Sequence, residues 1–148
     1  MRKFVLVCCV PFLLTLCTFA QHMEVSGAYD HLTPGKDGFN FSAAFLAAKH
    51  FGLEGDVGGY YPSKGPDHVY TVLGGPKVMF ATRDALFTPY AHLLFGETRE
   101  AGKNYLGVLP GGGVDVGTKR IALRLKLDAI HFNGGTHARA GAGVVLRW

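Results

Sequence analysis

Between Ile121 and Asp128 the chain alternates without interruption: Ile121, Leu123, Leu125 and Leu127 fall on odd positions, and Arg124, Lys126 and Asp128 on even ones. A helix would scatter these side chains around its circumference, whereas a strand separates them onto two faces. The last segment repeats the pattern, with Ala140, Ala142, Val144, Leu146 and Trp148 against Arg139, Gly141, Gly143, Val145 and Arg147. So does an early one, with Met23, Val25, Gly27 and Tyr29 against Glu24, Ser26, Ala28 and Asp30.

Weaker versions fill the middle. Leu53, Gly55, Val57 and Tyr61 oppose Glu54, Asp56 and Tyr60, and Tyr70, Val72, Val78 and Phe80 oppose Thr71, Lys77 and Arg83. Phe87, Ala91, Leu93 and Phe95 oppose Thr88, Tyr90, His92 and Thr98, and Leu106, Val108, Val114 and Val116 oppose Tyr105, Gly111, Gly113 and Asp115. The Ala-rich run from Phe41 to Phe51 has an amphipathic helix as its rival reading, but strand is preferred, with Phe39, Phe41, Ala43, Phe45 and Ala47 on one face opposite Asn40, Ser42, Ala44 and Ala48. Turn signals fall at Thr33 to Gly38, His50-Phe51-Gly52, Pro62 to Asp67, Arg83-Asp84-Ala85, Glu97 to Lys103, Gly117-Thr118-Lys119 and Asn133-Gly134-Gly135. Seven connections imply eight strands, the periodicity of an all-β, antiparallel, up-and-down barrel with short loops.

The first 20 residues stand apart. Arg2 and Lys3 precede an apolar run from Phe4 to Leu16, and Thr18-Phe19-Ala20 offers a small-residue cleavage site before Gln21. This reads as a cleaved signal peptide over 1–20, leaving one barrel domain over 21–148. Leu14-Thr15-Leu16-Cys17 is a poor lipoprotein box because Leu16 is bulky. Cys8, Cys9 and Cys17 all lie in the leader, so the remaining chain has no disulfide to hold it. Removing Arg2 and Lys3 from the 15 basic residues leaves 13 against 11 acidic ones, too even a balance to point to nucleic acid. All 21 glycines follow the leader, which suits close strands and tight turns better than helices.

Alternation alone does not fix which face points inward. A soluble lipocalin-like barrel binding a small apolar ligand would put Leu123, Leu125 and Leu127 inside, and a membrane barrel would put them outside. Aromatics gathered near strand ends favour the membrane sense, and the terminal strand ending on Trp148 resembles the recognition signal of bacterial outer-membrane barrels. Tyr29, Phe39, Tyr61, Tyr70, Phe95, Tyr105 and Phe132 would mark one rim, and Phe51, Phe80, Phe87 and Trp148 the other. The polar face then fills a narrow interior, where Glu24, Glu54, Asp56, Asp115 and Asp128 meet Lys77, Arg124, Lys126, Arg139 and Arg147, with His92 set to pair with Asp115 or Glu54. Pro76, Pro89 and Pro110 fall inside expected strands, where each removes a ladder donor.

The run from Val69 to Val78, Thr88 to Gly96, Pro110-Gly-Gly-Gly-Val-Asp-Val and the terminal Gly141 to Trp148 resemble bacterial outer-membrane barrels of the porin-family, OmpA-like kind. The resemblance covers the chain after the leader. It implies a transmembrane barrel in the bacterial outer membrane, both termini in the periplasm, and lipid as its surroundings. It further implies that Val144, Leu146 and Trp148 form a C-terminal signal read by the barrel-assembly machinery. The implied role is non-enzymatic: envelope structure, surface interaction or narrow permeability, with no cofactor.

His131-Phe132-Asn133-Gly134 loosely resembles the active-site stretch of outer-membrane lipid A deacylases, but Asn133 stands where a serine nucleophile is needed. His22, His31, His50, His68, His92, His131 and His137 show no metal-binding spacing. Gly111-Gly112-Gly113 lacks the following Lys-Ser/Thr and helix of a phosphate loop.

Overall fold

The computed structural model describes residues 23–63, 65, 67–82 and 84–148. The leader, with its cleavage site and Cys17, lies outside the described residues. Eight strands follow in chain order: β1 (Met23–Leu32), β2 (Lys36–Leu46), β3 (Phe51–Pro62), β4 (Val69–Met79), β5 (Phe87–Glu100), β6 (Lys103–Gly117), β7 (Ile121–Phe132) and β8 (Gly135–Arg147). Each pairs antiparallel with its sequence neighbour, and β8 pairs with β1 to close the barrel. Stepping across the seams from Leu32 through Arg139, Asp128, Gly111, His92, Lys77 and Gly52 leads to Leu46. Leu46 is one residue past the partner of Met23, so the circuit slips by ten residues, the stagger that tilts the strands of a closed barrel.

The Ala-rich run is strand. Phe39 and Phe41 face outward, Asn40, Ser42, Ala44 and Leu46 face inward, and both edges of β2 find ladder partners. The following turn comes earlier than His50-Phe51-Gly52: mutual backbone bonds between Ala48 and Phe51 close it, and Phe51 and Gly52 already belong to β3. The segment from Glu97 to Lys103 is also tighter than its polar residues suggest. The β5–β6 ladder runs to Glu100 and Lys103, leaving only Ala101-Gly102 as the turn. Asn133-Gly134 joins β7 to β8 in the same way, and all four turn residues have positive φ, the geometry that matches strand twist in a two-residue hairpin.

The prolines sit where one seam can spare a donor. The β4–β5 ladder skips Pro76 between the Gly74–Phe95 and Lys77–His92 pairs, while Pro76 stays opposite Leu53 of β3. Pro110 interrupts the β6–β7 ladder between Val108–His131 and Gly111–Asp128, and keeps its place opposite Leu93. Pro89 lies just beyond the final β4 pair, Met79–Tyr90. Each ring nitrogen thus costs one seam at most one hydrogen bond.

Burial follows parity along the strands, apart from glycine-rich stretches such as Gly111 to Val114 of β6, which are half-buried throughout. Leu123, Leu125 and Leu127 are exposed, with Arg124, Lys126 and Asp128 buried between them. The outer surface carries Val25, Tyr29, Phe39, Phe41, Leu53, Val57, Tyr61, Tyr70, Val72, Leu93, Phe95, Val144 and Leu146. Tyr105 and Phe132 are not part of that outer rim. Phe132 shares parity with Asp128 and is buried, stacking on His137 at 4.7 Å and facing the inward ring of Tyr105. Aromatic character alone sends a residue to a rim; parity decides which side of the wall it occupies.

Inward glycines make the interior possible. A Cβ on Gly141 would overlap the Asp30 carboxylate and the Lys126 arm, and one on Gly143 would meet the backbone of Gly27 and Ala28 across the closing seam. Gly143→Val is therefore expected to destabilise the barrel by at least ~1–3 kcal/mol, read as a lower urea midpoint of the refolded protein. Gly55→Val, which points into open space outside, is expected to leave that midpoint unchanged.

Candidate functional site

The interior is built in layers. At the hairpin end, Leu32, Tyr60, Val69, Leu73, Leu94, Leu109, Ile130 and Phe132 form a buried apolar cluster. At the end that holds Met23 and Trp148, a smaller cluster of Leu46, Met79 and Tyr90 faces it. Between them lie six buried carboxylates (Glu24, Asp30, Glu54, Asp56, Asp115 and Asp128) and five buried permanent cations (Lys77, Arg124, Lys126, Arg139 and Arg147), counted among the described residues. Charges removed from water are tolerable only when paired and hydrogen-bonded, and these are.

Two clusters share the work. In the one nearer the termini, Asp115 takes two bonds from Arg124, at 2.7 and 2.8 Å, and another from Arg147. Glu24 accepts from Lys77 at 2.9 Å and from Arg147 Nε at 3.0 Å, and Arg124 reaches it at 3.4 Å. Lys77 also lies 3.4 Å from Glu54, and both Lys77 and Arg124 sit 4.6 Å from the centre of the Tyr90 ring, whose face attracts cations. In the cluster nearer the hairpins, Arg139 joins Asp128 (2.8 Å from Nε) to Asp56 (3.0 Å from Nη1) and donates to the Tyr60 hydroxyl. Lys126 donates to the Asn40 side-chain oxygen at 2.7 Å and pairs with Asp30 at 2.8 Å, while the Asn40 amide donates to Asp56 at 2.7 Å.

His92 links the two. Its Nδ1 faces Glu54 at 3.2 Å and its Nε2 faces Asp128 at 3.1 Å. A neutral imidazole has one donor and would turn a lone pair on a carboxylate, so only the imidazolium satisfies both contacts. In that form it also makes six cations for six carboxylates. Asp115, the other partner open to His92 from sequence, is taken up by the two arginines. Sequence reasoning left out Asp30, Asn40 and Tyr60; the inward parity of Asp30, shared with Glu24 on β1, was the signal available for it.

Neither end of this network is an open mouth. The apolar cluster caps it towards the hairpins, with the Lys36–Glu100 pair at the rim above. On the outside, His131 is exposed and its Nδ1 lies 2.9 Å from the Thr136 hydroxyl, with no carboxylate bound to it among the described residues. Nor do three His, Cys, Asp or Glu side chains converge as a metal site among those residues.

Removing one member should expose the cost of the rest. Arg124→Met would leave Asp115 and Glu24 short of a cation, and is expected to destabilise the barrel by ~3–5 kcal/mol in urea unfolding. Lys119→Ala, which removes the exposed pair with Asp84, is expected to shift stability by less than ~1 kcal/mol.

No family model and no curated protein sequence matches the chain. Solved structures do match. The chain is similar to the N-terminal β-barrel domain of OprF from Pseudomonas aeruginosa, with a TM-score of 0.68 and 15% identity, covering 86% of this chain and 98% of that one. It is similar to Neisserial surface protein A, with a TM-score of 0.65 and 16% identity over 86% and 96% of the two chains. The outer-membrane enzyme PagL shares the architecture at a TM-score of 0.53 and 12% identity, over 84% and 99%. At these identities the likeness is one of fold, and that fold is the closed eight-stranded barrel of bacterial outer-membrane proteins.

Proposed function

We propose that the chain is an integral protein of a bacterial outer membrane, with a non-enzymatic role in the envelope as a structural or surface-interaction barrel. The observation that carries this reading is the inverted distribution of polarity. Strands of 10 to 15 residues put leucine, valine and phenylalanine outward over an interior whose middle is a lattice of paired charges. Bulk water would penalise that outer surface, whereas a bilayer is its natural solvent, and tilted strands of about 9–11 residues suffice to cross one. A soluble barrel that holds an apolar ligand inside has no support, because Leu123, Leu125 and Leu127 are outside and Arg124 and Lys126 occupy the lumen.

In this reading lipid surrounds the outer face, the four short hairpins face the cell exterior and both ends of the described chain face the periplasm. Residues 1–20 direct export. Val144 and Leu146 face outward on β8, and with Trp148 just past its end they make up the terminal segment that the barrel-assembly machinery would engage. Permeability is the weakest of the envelope roles, since eight strands leave room only for side chains, and here the charge lattice occupies the middle and an apolar cluster caps each end. Hydrolysis has less support still. PagL carries an activity on this architecture, but His131 meets only a threonine and lacks an acid partner among the described residues.

Membrane fractionation tests the proposal. The exported protein is expected in the outer-membrane fraction, with a mobility that changes when the SDS sample is heated. Leu125→Arg, which places a charge on the outer face, costs roughly 2–4 kcal/mol at mid-bilayer; together with removal of Trp148 it should lower the folded amount. A soluble wild-type protein with no heat shift would overturn the reading. In planar bilayers the purified barrel is expected to show no steady open-channel current, and a sustained conductance would restore permeability as its role.

A further inference from the structure

At the hairpin end, the outer wall of β3 to β5 carries side chains that the barrel's closure does not use. Tyr61, His68 and Tyr70 form a three-ring group with centroid separations of 5.1, 6.2 and 6.5 Å. Beside it lies an open depression of about 400 Å³, lined by Asp67, His68, Tyr70 and Arg99 together with the β5–β6 turn, Ala101-Gly102. Asp67 and Arg99 are exposed, and neither forms an ion pair with the other or with any other described residue. The interior, by contrast, leaves none of its cations unpaired.

The lining narrows what could sit there. An ionised Asp67 is an acceptor only, and the Arg99 guanidinium is a donor only, in a planar fork. An anion would meet the carboxylate and a cation would meet the guanidinium, while an apolar ligand would strip water from both without replacing its hydrogen bonds. A neutral polyhydroxylated ring suits all of them: its hydroxyls can donate to Asp67 and accept from Arg99, and its C–H face can lie on Tyr70. A volume of about 400 Å³ falls at the small end of ligand sites, room for one or two such rings.

We propose that this depression binds a neutral sugar, carried either by a glycolipid headgroup in the surrounding leaflet or by a soluble oligosaccharide. That the site faces the cell exterior rests on the proposed orientation in the membrane; the binding itself does not.

The test uses the purified, folded chain in phosphatidylcholine nanodiscs, prepared without sugar detergents. Maltotetraose is added in solution and followed by saturation-transfer NMR. In a second preparation, monoglucosyl diacylglycerol is included in the disc and its retention is followed by native mass spectrometry. Saturable binding in about the millimolar range or tighter is expected in at least one format, weakened roughly tenfold or more by Tyr70→Ala and by Arg99→Ala. Phe51→Ala, at the opposite end, should leave it unchanged, and an unaltered heat shift certifies the fold of each variant. Binding of the free sugar assigns a soluble source and binding only in the disc assigns a lipid source; either upholds the site. The proposal is overturned by no saturable binding in both formats, by binding that survives both substitutions, or by inorganic phosphate binding more tightly than maltotetraose. A failure here leaves the cellular location untouched, and a mislocalised protein that still binds sugar would leave this site standing.

Discussion

Twelve ionisable side chains packed inside one small barrel must neutralise one another, and most of the molecule is arranged around that requirement. The pairing of Arg124 with Asp115 and Glu24, and of Arg139 with Asp128 and Asp56, fixes long side chains drawn from β1, β3, β6, β7 and β8 into one lattice. His92, from β5, joins its two halves through Glu54 and Asp128. Such a lattice needs floor space. Glycines such as Gly111 and Gly141 provide it by leaving bare backbone under the carboxylates of Asp128 and Asp30. The interior therefore behaves as a filled, cross-linked solid more than as a lumen, and the strands cannot slide by one residue without inverting every ion pair.

The same requirement sets the character of the outside. With most of the buried charge committed to the interior, the outer wall between the two rims is left to apolar residues, and among the described residues no apolar core spans the barrel's width. Its two buried apolar clusters serve as end caps instead. In the proposed bilayer setting an open edge or unpaired strand would be costly, because no water is there to satisfy its backbone groups. Closure of β8 on β1 removes the last such edge.

Much of this was legible in the residues. The period-two alternation of Ile121 to Asp128 and of Ala140 to Trp148 fixed strand type and face, because neither segment fits any other geometry without mixing its charges with its leucines. Seven breaks implied eight strands, and eight strands implied closure. What stayed hidden depended on partners distant in sequence. Nothing local tells Phe132 that its neighbours will be Tyr105 and His137 inside the barrel rather than the outer surface. Nor does any local feature tell Pro76 or Pro110 that only one seam will miss its donor. The partners of His92 lie 36 and 38 residues away in the chain and are set by the register of strands it does not adjoin.

Seven of the eight seams join neighbours in sequence, and several of the connections between them are as short as two or three residues. Those seams can form locally, one hairpin at a time, with little loop to close. The eighth is different in kind: it brings Glu24 opposite Arg147 across nearly the whole described chain. Until it forms, the molecule is a curled ribbon with two raw edges and its charge lattice unfinished, since Glu24 on one edge strand and Arg147 on the other are partners. The largest loop-closure cost in this fold thus falls on a single line along its wall. That line is where a misplaced strand from another molecule could substitute, and where a catalyst of assembly would have most to gain by holding the two edges apart until they meet.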